Sequence, residues 1–523
     1  MALANILINA HVRPLADYYR NRLPLRSPAE LNADLKAGLM DQIRLCAERC
    51  SVGALGAALW HEVITLCFQL MVRAHPAGAR EVAEAIAVQL PALLAADLSI
   101  GDKLSVYDML KNLFMMSAQD YAAMRPFDRL VVAPFATWIR GLDSARQRRA
   151  ARPFDGTRPL RVGYLCNYAV ELAPGKPAAP LFLSMILDHA EHFDHEVIVY
   201  ASGEPAPGWV SPLAERGIAV RSLAFTGYAA RGDVGLPASL ERLRGDDLDI
   251  VLTDDNLAMP AFLYEHRVAP VQVYAPMTMT FWGLANLDYI VTGPIAAESA
   301  GAHLPHERLV EGRYCYHPRL LDRPADPEQE AALRARIPAD HRIAGVFARF
   351  IKLSPDYLAA LERILAANPK LSLIIAGGGD PSLILDFIAR SASADRVIFF
   401  DHGVDIFTHG RVIDFFLDSF PFPSGNSTRE VQYFGKPVVS LHRDEFTAYF
   451  AQSRDPELVG RTVDDYVEIA GRLVGDPGYL AARSAAAVAI GAAEVRRGGN
   501  VPLLSELLGR AAADLRAPCP TRP

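Results

Sequence analysis

From residue 160 onward the chain alternates short apolar runs with stretches of helical period, and this alternation is what most narrows its fold. Residues 160–165 (LRVGYL) read as a strand, 180–192 as a helix and 196–200 as a strand; 211–216 reads as a short helix and 219–221 as another strand. A helix over 236–244 then feeds strands at 250–253, 270–274 and 289–291. Short apolar strands separated by helices mark parallel strands covered on both faces, so the pattern predicts a doubly wound α/β sheet. A second unit of the same kind starts at 343–347. It continues with helix 355–367, strand 371–376, helix 382–392 and strand 396–400, and closes with 412–441 and a helical tail over 463–515. No GxGxxG follows the first strand, so a nicotinamide or flavin reading loses its main support. Ligands of such sheets bind at the carboxyl ends of strands, and two units in one chain predict a cleft between them.

The residues before 155 follow a different rule. Segments 29–50, 55–74, 79–96 and 103–116 carry apolar residues at helical spacing with no period-2 run between them, which predicts an all-helical region. Tyr18, Tyr19, Trp60 and Trp138 in it read as core and rim, or as part of a platform for a large acceptor. A basic stretch with Pro and Gly over 144–159 marks a boundary, giving three expected domains: 1–155, 156–320 and 321–523. The net charge of −7 argues against a nucleic-acid protein that works by neutralising phosphates. Six cysteines, at 46, 50, 67, 166, 315 and 519, contain no CxxC pair, a reducing-compartment pattern without zinc-ligand spacing; no metal site is expected. The first twenty residues lack the features of a signal peptide. The most apolar window, 52–72, carries His61 and Glu62, so no membrane span is expected and the cytoplasm is the expected location.

The stretch 412–441 (VIDFFLDSFPFPSGNSTREVQYFGKPVVSL) promises a site. An apolar run leads into a loop with Pro421 and Pro423, then the polar cluster Ser424-Gly425-Asn426-Ser427-Thr428. Ser and Thr cap helices well, so a helix is expected to start there with Glu430 in its first turn, and 438–441 reads as the next buried strand. A strand, a small-residue loop and a helix N-terminus make an anion cradle, with a nearby carboxylate suited to ribose hydroxyls. An ordinary βαβ crossover with a polar loop fits the same pattern.

Three segments carry a family resemblance: FARFIKLSPDYLAALERIL (347–365), RVIFFDHGVD (396–405) and LDSFPFPSGNSTREVQYFGKPVVSL (417–441). They resemble the C-terminal half of the O-GlcNAc transferase superfamily, with the nearest likeness to bacterial cytoplasmic N-glycosyltransferases that modify adhesins. LRVGYLCNY, APVQV with LDYIVTG, and LVGRTVDDYVEIAGRLV extend the likeness over about 160–480. The resemblance implies the GT-B fold, two Rossmann-like domains facing a cleft, here preceded by a helical domain. It also implies a UDP-sugar donor, no metal ion and inversion at the anomeric centre, with a hexose or N-acetylhexosamine passing to Asn or Ser/Thr of a polypeptide. By the same likeness Lys352 falls on the diphosphate-binding lysine, where a cation stabilises the departing UDP. Gly425, Asn426, Ser427 and Thr428 fall in the pyrophosphate loop, with Phe422 shaping the same pocket. Glu430 falls on the ribose-binding acid, Arg349 on a cleft-facing strand end, and His402 either near the uracil or in a structural role.

The acceptor half departs from that family. The loop after the first strand, 167–186, contains no His, and the family's Gly-His-Pro segment is replaced by PMTMTFWG (276–283). Acceptor activation still needs a proton taken or a nitrogen polarised. Asp254 and Asp255 after the strand 250–253 are the expected acid/base pair, with Glu171 a further candidate; caps and ion pairs are the plainer use of such acids. Met277, Met279, Phe281 and Trp282 line either an acceptor pocket or a hydrophobic wall. The altered loops also leave open transfer to a small molecule or glycan, or an inactive relative that serves as a scaffold.

Overall fold

The computed structural model describes residues 76–117, 125–146, 153–166, 178–202, 205, 207–223, 235–276, 282–292, 308–322, 324–379, 381–442 and 454–516. The expected helices 29–50 and 55–74, Tyr18, Tyr19, Trp60, Glu171, Met277, Met279 and Phe281 lie outside the described residues. Two compact units emerge, one from Met1–Glu171, His189–Arg313 and Val501–Pro523, the other from Leu172–Asp188 and Tyr314–Asn500. Both are discontinuous in sequence, whereas the linear reading placed its boundaries at 155 and 320.

The first unit holds a seven-stranded sheet ordered β3-β2-β1-β4-β5-β6-β7, parallel throughout. Its strands are β1 (Arg161–Cys166), β2 (Glu196–Ser202), β3 (Ala219–Leu223), β4 (Ile250–Thr253), β5 (Val271–Tyr274), β6 (Tyr289–Thr292) and β7 (Leu309–Glu311). Strands β4, β5 and β6 are buried along their whole length, which is why they read as bare apolar runs. The helix Ala258–Glu265 between β4 and β5 was not legible in the sequence: every residue of it is buried, so it shows no amphipathic stripe.

Helices of the preceding region pack on this same unit. Where one helix was expected over 79–96, two form, Pro76–Ala87 and Leu90–Ala95, because Pro91 belongs in a first turn and not in a helix interior. The helix Ile100–Ser117 supplies Lys111, whose Nζ lies 3.0 Å from Asp255 Oδ1, and Asp108, which accepts the Ala258 N–H at 2.6 Å. Trp282 donates to the Tyr107 hydroxyl at 3.1 Å and is fully buried, so of its two expected uses the structure assigns the hydrophobic wall.

The second unit holds a six-stranded parallel sheet ordered β10-β9-β8-β11-β12-β13. Its strands are β8 (Arg342–Phe347), β9 (Leu371–Ala376), β10 (Val397–Phe400), β11 (Phe415–Leu417), β12 (Val438–Leu441) and β13 (Val459–Gly460). The helix Pro355–Ala367 starts at Ser354, whose hydroxyl accepts the Tyr357 N–H at 3.2 Å, with Pro355 in the first helical position. The expected helical tail is three helices: Val463–Gly475 behind a Thr462/Asp465 capping box, Pro477–Glu494 capped by Asp476, and Val501–Arg516.

Candidate functional site

In the second sheet the chain runs outward from β8 through β9 to β10, then returns to the other side of β8 as β11. The segments leaving the carboxyl ends of β8 and β11 therefore diverge, and this switch point is where an open α/β sheet offers a crevice. The sequence places Arg349–Lys352 after β8 and the 418–425 loop after β11.

The segment after β8 is held low against β9. Ala348 N–H donates to Ala376 O at 3.1 Å and Phe350 N–H to Gly378 O at 3.0 Å. Gly377 makes this possible: a Cβ there would stand 1.8 Å from the Ala348 carbonyl oxygen. A turn over Phe350–Lys352 then lifts Lys352 toward the facing loop. Its ammonium donates to Pro423 O at 3.1 Å and lies 4.8 Å from the centre of the Phe422 ring. Burial, and then the neighbouring Arg349 guanidinium, bring the Lys352 pKa down to about 7, against an opposing pull from Asp418.

The 418–425 loop is anchored before it reaches the crevice. Phe420 is buried, edge-on to Tyr357 at 5.2 Å and to Tyr466 at 5.4 Å; burying such a ring contributes about 1.5–3 kcal/mol. The Tyr357 hydroxyl donates to Leu417 O at 2.8 Å, the Tyr466 hydroxyl to Asp418 O at 2.9 Å and the Ser354 hydroxyl to Phe420 O at 2.9 Å. Backbone carbonyls that would otherwise be buried without donors are thus satisfied by side chains.

The helix after the loop runs Asn426–Tyr433 with Gly425 at its cap, and no side chain caps it. This corrects the expected Ser/Thr cap. It also moves Glu430 out of the first turn, which contains no acid. Thr428 does not cap because its hydroxyl turns back, donating to Gly425 O at 2.6 Å and Ser424 O at 3.2 Å. By helix geometry the leading N–H groups have no intrahelical acceptor, so the uncapped first turn retains its capacity for an anion. Asn426 and Ser427 are partly exposed while Thr428 is buried, so Thr428 can offer a ligand its backbone and not its hydroxyl.

The remaining expected residues are distributed as follows. Arg349 is exposed beside Lys352. Glu430 is buried and accepts the Tyr316 hydroxyl at 3.3 Å. His402 is exposed and sits 3.1 Å from Asp401. It follows β10, two strands from β8, hence about 10 Å along the sheet from the switch point; the structure does not bring it to the loop. Asp254 and Asp255 belong to the first unit, at the end of β4. Both are fully buried, and Asp255 holds the Lys111 ion pair and accepts the Asn256 N–H at 2.7 Å. A general base must reach the proton it takes, and neither carboxylate meets solvent here.

Two residues escaped the sequence reading. Asp418 accepts the Ser424 N–H at 2.7 Å, and Arg454, from beyond β12, lies buried beneath the loop. Asp418 had a faint signal, an acid directly after an apolar strand; Arg454 had none.

No family model matches the chain. The architecture is that of GT-B glycosyltransferases: two parallel-sheet α/β units with a helical region before them. Among solved structures, a mutant O-GlcNAc transferase of Thermobaculum terrenum aligns over 97% of this chain and 98% of its own, with a TM-score of 0.56 and 18% identity. Anabaena HepE, solved with UDP and glucose, aligns over 67% of this chain and 99% of its own, with a TM-score of 0.52 and 16% identity. Among curated proteins the chain is similar to the probable UDP-N-acetylglucosamine–peptide N-acetylglucosaminyltransferase SPINDLY of Solanum lycopersicum. The two are 25% identical over 341 residues, 61% of this chain and 35% of the relative. The counterpart from Petunia hybrida is 27% identical over 259 residues, 45% of this chain and 26% of that protein. The chain thus spans about a third of the length of the curated relatives it matches; those relatives and the Thermobaculum terrenum protein are named as N-acetylglucosamine transferases.

Proposed function

We propose that this chain is a UDP-sugar-dependent glycosyltransferase that passes a hexose or N-acetylhexosamine to an Asn or Ser/Thr side chain of a polypeptide. The observation that carries the reading is Lys352 held over the 420–423 loop, beside an uncapped helix N-terminus at a switch point. The acceptor atom forms its bond to the anomeric carbon as the bond to the β-phosphate oxygen breaks, the acceptor's proton passes to water, and negative charge accumulates on the diphosphate. Lys352 and the leading amides of Asn426–Tyr433 meet that charge, which favours departure of UDP with inversion and without a metal ion. Glu430 and Tyr316 are assigned to the nucleoside side, and Asp255 to holding the frame. The similarity to peptide N-acetylglucosaminyltransferases supports the polypeptide acceptor. Among the described residues no helix is long and apolar enough to cross a membrane, and the cytoplasm is the proposed site of action.

The test is a thermal-shift panel of UDP, GDP, TDP, ADP and UDP-sugars on the native chain and on Lys352→Ala. A UDP-selective rise in Tm that vanishes in the variant is expected, because a ligand of the native state stabilises it. No rise with any nucleotide overturns the reading. UDP release from UDP-sugars, with and without polypeptide acceptors, then separates a transferase from a binding protein.

A further inference from the structure

We infer that Arg454 is a positioning residue of the donor site, shaping the 418–428 loop and lending it positive charge from behind. The inference rests on the donor-site reading above. Its side chain is 1% exposed and reaches the loop together with the strand and helix that flank it. One terminal nitrogen donates to Ser424 O at 3.1 Å and to the Thr428 hydroxyl; the other donates to Gln432 Oε1 at 3.1 Å; Nε donates to the Ser440 hydroxyl at 3.3 Å. Asp418 Oδ2 lies 3.7 Å away and accepts the Ser440 hydroxyl at 3.2 Å.

The Ser424 peptide is consequently gripped on both sides, its N–H by Asp418 and its carbonyl by Arg454, one residue before the helix cap. Thr428 turns the Ser424 and Gly425 carbonyls toward the same interior. With these carbonyls held in the interior, the leading amides of the helix are left without a capping side chain and free to meet an anionic ligand. Burial lowers the guanidinium pKa to about 10, so it stays charged at neutral pH. Stability does not require that charge. A buried ion pair is often matched or bettered by apolar residues of the same volume. What apolar residues could not supply is the grip on Ser424 and a cation close behind the diphosphate.

The experiment measures UDP affinity by calorimetry, ligand-free Tm, and KM for UDP-sugar and acceptor. It compares the native chain with Arg454→Lys, Arg454→Met and the double variant Arg454→Met/Asp418→Asn. Arg454→Met alone is expected to lower Tm, because it strands the Asp418 carboxylate. The double variant removes both charges and should regain most of that Tm while binding UDP roughly tenfold or more weakly, the scale of one lost hydrogen bond to a charged group. KM for UDP-sugar should rise with KM for the acceptor unchanged. A double variant with native Tm and native UDP affinity overturns the inference and leaves Arg454 a core-filling residue. Should the methionine variants not fold, Arg454→Lys decides, since it keeps the charge but cannot hold four partners at once: unchanged UDP affinity there overturns it too. Failure of the native chain itself to bind UDP is a separate result, and it removes the donor-site reading on which the inference rests.

Discussion

At the scale of single residues, Lys352 links pH to binding and to stability with opposite signs. Its pKa in the fold, about 7, is below the 10.5 of a free lysine. The folded chain therefore carries a half-buried ammonium at a cost below pH 7, and stability rises with pH between about 7 and 10.5, where the unfolded chain binds the extra proton. Lys352→Met should accordingly match or exceed the native Tm at pH 6.5 without ligand, and the gain should shrink as the pH rises past neutrality. Binding runs the other way, because the diphosphate needs the ammonium. UDP-glucose, whose diphosphate keeps its charge over this range, should bind more weakly as pH rises from 6.5 to 8.5. That dependence should be absent in Lys352→Met, and titration calorimetry at several pH values checks it. Asp255 makes a contrasting case. Lys111→Met strands its carboxylate and should cost about 3–5 kcal/mol in denaturant melts, most of it recovered by adding Asp255→Asn. An Asp255→Asn variant of native stability but with no turnover would instead return this residue to the chemistry.

At the scale of elements, the site is made by close backbone approach as much as by side chains. Gly377→Ala would drive a methyl into the Ala348 carbonyl and lift the segment that carries Lys352. It should weaken the UDP-induced thermal shift by more than it lowers the ligand-free Tm. Gly491→Ala places a Cβ 2.6 Å from Tyr433 Cα, where the helix Pro477–Glu494 crosses Asn426–Tyr433. Overpacking of this kind costs about 1–3 kcal/mol, read as a lower urea midpoint. These elements also show what the sequence could disclose. Strands such as β9 and β12 and the helix Pro355–Ala367 were legible to the residue, because parallel strands buried on both faces are bare apolar runs and Ser354-Pro355 is a strong start signal. Lys352 and the 424–428 loop were singled out through resemblance, and the structure brings Lys352 to Pro423 and Phe422 just ahead of that loop. The true cap was not, because Thr428 spends its hydroxyl on carbonyls behind it, a choice set by Arg454 from another part of the chain. The distance of His402 from the switch point was illegible for a similar reason. Local sequence does not state strand order, and order sets its distance from the switch point.

At the scale of the whole molecule, connectivity and compactness part company. The helix Val501–Arg516 completes the first unit: Leu503 fills the space above Gly312, Arg510 donates to Leu309 O at 2.8 Å, and Tyr289 donates to Asp514 at 2.9 Å. A chain cut after Asn500 should keep its UDP-induced stabilisation while β6 and β7 lose hydrogen-exchange protection, which mass spectrometry would resolve by peptide. There is also a consequence for biosynthesis. As the polypeptide leaves the ribosome, the half that begins first cannot close until residues beyond 500 have emerged, while the half holding Lys352 already has all of its parts. The unit started later can finish earlier, and for the time taken to translate nearly two hundred codons the apolar seat of Leu503 beside β7 stands open to chaperones and to neighbouring nascent chains.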